Sequence, residues 1–512
     1  MRQYANASMK YTFFQIATAV ALFFYLFTAY NSHGYYHADE HYQIVEFSGV
    51  KLGTHAPSDL PWEYEAKLRP ALQPTICVGV FSLLKGIGVD NPYTMVMWLR
   101  ILTALLSIAI IGYFIKQTLS LFNSEIHKRA YILLSYFLWF IPLLSVRFSS
   151  ETMSGLMLLL AVAILLAKER NYTPWLLGAI VGIGFLFRFQ MAFPFAGLGL
   201  WLLIVKRVNF RYILKMLLPF LAVVGIGVVV DSWFYGELVF TPFHYFKANI
   251  LDDVASNFGT SPWYFYLDKL ITLPSVVVGI PMVLALVVMA VYFPKSIFFW
   301  CFIPLLIIHS LIPHKEDRFL FPVILLFPVM MMLAYQKVAP LLEKTRIARV
   351  LRNAYLILFI AVNLVGLVAM SVKAAGVGRI GLTKHIHDSY GSKQVNLIHN
   401  PWCNPYNPWG LPVKFYLEKD MEFRNLESIE RLNDSIINPN AVNLLVIGTN
   451  EAENPIWQAT LAEKGFVEEA RSIPKWEAWI NRRYKAFDKG WVLVLYRQKP
   501  AKGFDNPSAT NH

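Results

Sequence analysis

The sequence predicts an all-α polytopic membrane protein that carries a small α/β domain towards its C-terminal end. Three observations lead there. Long apolar runs recur from Tyr11 to Met370, and each approaches the roughly 20 residues that cross a bilayer core. Only 15% of the 512 residues are charged and the mean hydropathy is +0.45, whereas a soluble domain carries roughly 25% charged residues. After residue 375 the charges return and the apolar runs shorten to strand length.

Taken in order, the runs place about eleven spans, at 11–30, 93–119, 131–147, 152–167, 174–189, 190–205, 213–231, 273–293, 297–312, 320–336 and 353–373. The first is long and lacks a small-residue cleavage site, so it is taken as a span rather than a secretory signal. The pair 174–205 is short, with Arg188 at the break between its halves. With the N-terminus inside, the inner connections hold Lys128 and Arg129, Lys168 and Arg170, Lys206, Arg207, Arg211 and Lys215, Lys295, and Lys337, Lys344, Arg346, Arg349 and Arg352. This is the positive-inside distribution, and the reverse orientation would place all of these charges outside. Topology therefore accounts for the net charge of +13, and the partner it implies is the lipid bilayer, with no nucleic acid.

This orientation turns loops 31–74 and 232–272, the turn His314–Arg318 and the tail outward. The expected domains are 1–374, spanning the membrane, and 375–512, an α/β domain on the outer face. In the tail, 394–400 (QVNLIHN), 443–448 (NLLVIG) and 491–496 (WVLVLY) read as buried strands. Residues 454–466 read as a helix ending at Gly465. The polar end from Lys502 to His512 is expected to fray. Cys77, Cys301 and Cys403 are widely separated, with no CxxC, so neither a metal site nor a disulfide framework is indicated.

Three outward segments carry candidate chemistry. In YYHADEHYQIVEFSG (35–49), Asp39 and Glu40 diverge by about 100° on a helix and cannot face one point. One carboxylate at the membrane surface suits a general base while the other positions a partner; an ordinary hydrated loop acid is the plain alternative. In IPHKEDRFLFPV, His314, Lys315 and Arg318 form a donor cluster suited to a phosphate, with Glu316 and Asp317 to orient it. A polar turn between two spans is the alternative there, but charge is scarce near apolar spans. The aromatic stretch 231–266 sets Asp231, Glu237, His244 and Lys247 among Trp, Tyr and Phe, residues that line membrane interfaces and also stack on sugars. A fourth, weaker point is Ser150-Glu151-Thr152 at an outer helix start, where Ser149 or Ser150 with Thr152 nearby also reads as a plain helix cap. Arg188 either meets the outer cluster or snorkels.

Together, HADEHYQ, DSWFYGELVFTP…FKANILDDVASNFGTSPWYFY and HKEDRFLFPV resemble the glycosyltransferase family 22 mannosyltransferases. That family comprises GPI-anchor and lipid-linked-oligosaccharide mannosyltransferases. The GPI-anchor members show H-P-D-E, Y-G-E-W-V-F-T-P, G-x-x-P-W-H-W-Y and H-K-E-x-R-F patterns. The likeness runs from about residue 31 to 327 and extends towards NLIHNPWCNPY (396–406). HKEDRF is its specific part; an Asp-Glu pair alone is not. Ala38 stands where the family has Pro, Tyr264 where it has His, and Cys403-Asn404 where it has Cys-His; the last two departures bear on the acceptor more than on the reaction.

The resemblance implies the GT-C fold, a catalytic first outer loop and a polyprenyl- or dolichyl-phosphate sugar as donor, with a glycolipid or glycan as acceptor. It implies Asp39 as general base with Glu40 as its partner or substitute, and His314, Lys315 and Arg318 on the departing phosphate. Glu316, Glu237, His244, Lys247 and Arg188 would support them. No metal or other cofactor is expected. The compact loops and the lack of an ER-retention signal point to a bacterial inner membrane, with the endoplasmic reticulum membrane as the alternative. A lipid or polysaccharide transporter without transferase activity is the rival reading, although no internal repeat supports it.

Overall fold

The structure is a computed structural model and describes residues 2–433, 435–484 and 491–499. The polar end from Lys502 lies outside the described residues. The chain forms two compact units: one holds residues 1–32, 62–89 and 95–373, the other 33–61, 90–94 and the chain from 374 onward. The first long loop is thereby divided, with 33–61 belonging to the C-terminal unit and 62–89 to the helical one.

In the helical unit every proposed span falls on helix. Arg2–Asn31, Pro92–Thr118, Phe210–Tyr235 and Arg346–Val372 are the long ones. Among the described residues, four helices are long and apolar enough to cross a membrane, and up to six if each bent pair forms one span. The bent pairs are Val276–Tyr292 with Ile297–Leu311, at 117°, and Asp317–Ile324 with Phe327–Leu342, at 70°. The proposed span 131–147 is broken instead into Glu125–Phe137 and Phe140–Ser145. Helix Leu72–Gly86 lies where no element is predicted. Large apolar side chains are exposed along the long helices, among them Leu221, Ile226 and Val229 on one and Ile357 and Val365 on another. Such a surface suits hydrocarbon rather than water.

Helix Ser150–Leu166 is apolar nearly all round and buried along almost its whole length, as such a helix must be. Ser149 caps it, its hydroxyl accepting from the Thr152 backbone N–H at 3.2 Å. A Cβ on Gly155 would stand 2.7 Å from the Pro322 carbonyl oxygen. Glycine therefore lets this helix press against the segment that follows the HKEDR turn.

Among the described residues, the C-terminal unit is built on five strands: β1 (Val395–His399), β2 (Met421–Asn425), β3 (Val442–Gly448), β4 (Phe466–Arg471) and β5 (Leu493–Gln498). Their order is β2-β1-β3-β5-β4. The first three are mutually parallel, while β5 runs antiparallel to both β3 and β4. The central strands β1, β3 and β5 are the three predicted ones. Both unpredicted strands are edges, MEFRN and FVEEAR, whose charge and exposure leave no apolar run to recognise. The predicted helix is Pro455–Glu463; the Asn454 side chain caps it, and Gly465 takes the left-handed turn (φ +74°) into β4.

Candidate active site

The Asp-Glu pair lies on a short helix of the C-terminal unit, Ala38–His41, which runs through a π-helical turn, Tyr42–Glu46, into Phe47–Lys51. Asp39 and Glu40 are half-buried. The Glu40 carboxylate accepts the Tyr36 backbone N–H at 3.1 Å, bracing the turn that precedes it. Gln43 and Phe47, further along the same segment, are buried.

What fixes this helix is a residue outside the sequence-based candidates. Glu46 is 1% exposed. It binds His41 Nε2 at 2.7 Å and also His55 Nε2, and both its oxygens accept the Phe415 backbone N–H at 3.2 Å. Burial pushes the Glu46 carboxyl pKa up, but the two histidines outweigh it and hold the value below the ordinary carboxylate range. The His41 ring is stacked between Tyr35, at 4.8 Å, and Tyr416, at 5.4 Å. His41 and Glu46 are five apart, a spacing that diverges on an α-helix and meets only through a π-turn, so no α-helical pattern reveals the pair.

The HKEDR turn belongs to the helical unit. Arg318 forks onto Glu316, with Nε at 2.7 Å from one oxygen and Nη2 at 2.9 Å from the other. Its Nη1 lies 3.5 Å from Glu151 Oε1, and the same oxygen accepts from Arg188 Nη1 at 2.7 Å. Arg188 also donates to the Ser150 hydroxyl at 3.0 Å. It therefore meets the cluster instead of snorkelling. The Phe319 ring flanks both guanidiniums, 5.3 Å from that of Arg188 and 5.7 Å from that of Arg318. Glu151, Arg188, Lys315 and Arg318 are all buried. Glu151, the hub, falls in the weaker Ser150-Glu151-Thr152 segment and receives no role from the sequence, because a single acid at a capped helix start looks like an ordinary first-turn residue.

The same turn is stitched to the second loop. His314 Nδ1 donates to the Gly259 carbonyl at 2.9 Å, and its Nε2 is 3.3 Å from Glu316. Lys315 donates to the Ser261 and Ile312 carbonyls at 2.8 and 2.6 Å. Lys315 is thus held by backbone, and the Arg318 fork is held by Glu316. Asp317 faces Lys269 at 3.8 Å. The other candidates on the second loop meet the 62–71 segment. Glu237 pairs with Lys67, and His244 lies 3.3 Å from the Ala66 carbonyl. Buried Asp231 accepts the Ala71 N–H at 2.7 Å and the Thr241 hydroxyl. Lys247 is exposed.

In the tail, Asn404 donates to His399 Nε2 at 3.2 Å, which leaves His399 Nδ1 to donate to the Asn400 carbonyl at 2.9 Å. Burial lowers the His399 pKa and pushes the Cys403 thiol up to about 11. Both groups are therefore uncharged near pH 7, and the Asn404–His399 hydrogen bond suits a structural role.

The chain matches the profile of the Alg9-like mannosyltransferase family over residues 14–392. It is 26% identical to GPI mannosyltransferase 3 of Candida albicans across 59% of this chain and 60% of that protein. It is 28% identical to GPI mannosyltransferase 3 of Yarrowia lipolytica across 66% and 64%. The match thus spans less than two thirds of the length of these relatives. Among solved structures, ArnT from Cupriavidus metallidurans bound to undecaprenyl phosphate shares the fold, with a TM-score of 0.50 at 12% identity over 96% of this chain and 98% of that one. This GT-C likeness agrees with a multi-pass membrane protein.

Proposed function

Because the chain belongs to the Alg9-like mannosyltransferase family, we propose that it moves a mannose, or a related hexose, from a polyprenyl- or dolichyl-phosphate sugar to a glycolipid or glycan acceptor. The observation that carries this reading is the buried cluster around Glu151. Three buried cations, Arg188, Lys315 and Arg318, gather beside the carboxylates of Glu151 and Glu316. A cationic group of that kind suits an anion, and the planar Arg318 fork, which holds Glu316 here, is the geometry that a phosphate also takes.

In this reading the acceptor hydroxyl gives its proton to Asp39 as its oxygen bonds to the anomeric carbon. The bond from that carbon to the phosphate oxygen breaks, and its electron pair leaves on the phosphate. Charge grows there in the transition state, where preorganised guanidiniums stabilise it most. One displacement inverts the anomeric centre. A lipid phosphate leaves readily, so the step calls for no metal. Glu40, bound to the Tyr36 N–H, braces the turn or substitutes as base, and Glu316 and Arg188 orient Arg318. A polyprenyl phosphate is also what the ArnT structure of this fold holds. A transporter is not favoured, since the family is one of transferases. The compact loops favour a bacterial inner membrane, with the endoplasmic reticulum as the alternative.

The test is transfer by the purified protein in detergent, given radiolabelled polyprenyl-phosphate mannose or GDP-mannose with a panel of glycolipids. Mannose passing to a glycolipid from the lipid donor, and not from the nucleotide donor, is the expected result. Transfer from GDP-mannose alone would overturn the donor assignment.

A further inference from the structure

Helix Lys475–Tyr484 of the C-terminal unit is amphipathic in the wrong sense for a helix on a soluble domain. Its inward side holds Glu477 and Asn481, one turn apart and 7% and 4% exposed; neither lacks a partner. Its outward side holds Trp476, Trp479 and Ile480, which are 45%, 63% and 38% exposed. The spacing i, i+3, i+4 makes these three one ridge. Lys475, Arg482 and Arg483 are exposed beside it. Glu477 is the only acid in the helix, and it is turned inward, so the exposed charges of the helix itself are all positive. A surface helix of a soluble domain buries its apolar stripe and shows its charges. Here the polar side is seated, and two indoles and an isoleucine are left outside.

The chain itself indicates what covers them. It enters this unit from Thr12–Asn31 and again from the helix that begins at Arg346, both apolar and long enough to cross a membrane. The unit is therefore tethered to a bilayer, and its contact with lipid is an intramolecular event at high effective concentration. Tryptophan settles at the headgroup level, and flanking Lys and Arg draw anionic lipids.

We propose that helix Lys475–Tyr484 is an interfacial element. It lays Trp476, Trp479 and Ile480 into the headgroup layer of the membrane that the chain spans and sets Lys475, Arg482 and Arg483 on anionic lipid phosphates. This docks the C-terminal unit, and with it residues 33–61, at the lipid surface.

The test uses the full chain in nanodiscs, with a polarity-sensitive dye on Ile480→Cys; the native Cys77, Cys301 and Cys403 are buried. The lipid is phosphatidylcholine alone or mixed with phosphatidylglycerol, with or without brominated acyl chains. The expected result is blue-shifted emission that brominated lipid quenches, more strongly with phosphatidylglycerol. Charge reversal at the exposed Lys475, Arg482 and Arg483 leaves the fold intact and should abolish the phosphatidylglycerol dependence. The same dye on Glu463→Cys, at an exposed position of another helix, should stay in water. Emission at Ile480→Cys that brominated lipid never quenches would overturn the proposal. So would equal quenching at both positions, or a blue shift that persists without lipid and accompanies cross-linking to a second copy.

Discussion

Arg318 stands where two expectations meet. From the sequence, the HKEDR residues lie at a wet surface, where replacement would spare the fold. In the structure Arg318 is 7% exposed and shares Glu151 with Arg188, so removing it takes one cation from the buried Glu151 carboxylate. Arg318→Ala should therefore lower both donor affinity and detergent-extracted yield, since breaking a buried pair costs about 3–5 kcal/mol. Arg318→Lys keeps the charge and loses the fork. It should hold its yield and bind polyprenyl-phosphate mannose about tenfold more weakly, roughly the 1.4 kcal/mol of one charge-assisted hydrogen bond. Equal affinity in the Lys variant would show that the cluster only pins the turn. Glu46 makes a second prediction. Folding lowers its pKa, so its stabilisation is complete above the unfolded carboxylate value of about 4.3 and is lost as pH falls through the lower folded value. Thermal melts in detergent should weaken below about pH 4.3. Glu46→Gln should flatten that part of the profile while lowering stability at neutral pH. At this scale HKEDR was legible, because charge is rare beside apolar spans. Glu46 was not, because its partners meet it through a π-turn and from distant Phe415.

The π-turn Tyr42–Glu46 is buried along its whole length, and the helix after it is held against His55. A Cβ on Gly49 would come within 1.9 Å of His55 Nδ1, and His55 is pinned by Glu46 and by Thr54, 2.7 Å away. Gly49→Ala should therefore cost about 1–3 kcal/mol in overpacking, read as a lower melting temperature, with transfer activity falling as the first-loop helix shifts. An unchanged melt would show that His55 has room to move. Among the elements, the apolar helices and the three central strands were visible as runs of the right length. The edge strands β2 and β4 were hidden by their charges, and Leu72–Gly86 by its modest apolar stretch next to a polar loop.

Across the whole molecule, the family and fold could be read from motifs scattered between residues 31 and 327. The division of the first loop between two units could not, because it depends on long-range pairs such as Tyr42 with the Leu411 carbonyl and Lys414 with Asp59. That division gives the proposed roles separate carriers: Asp39 belongs to the C-terminal unit and Arg318 to the helical one. Chemistry and donor binding should accordingly be separable. The measurement that tests this most directly is donor occupancy and single-turnover transfer of polyprenyl-phosphate mannose on the same sample of Asp39→Asn. Loss of a general base predicts turnover reduced about 100-fold or more with donor occupancy unchanged. Near-normal turnover in both Asp39→Asn and Glu40→Gln would contradict the account, since the first loop would then hold no base.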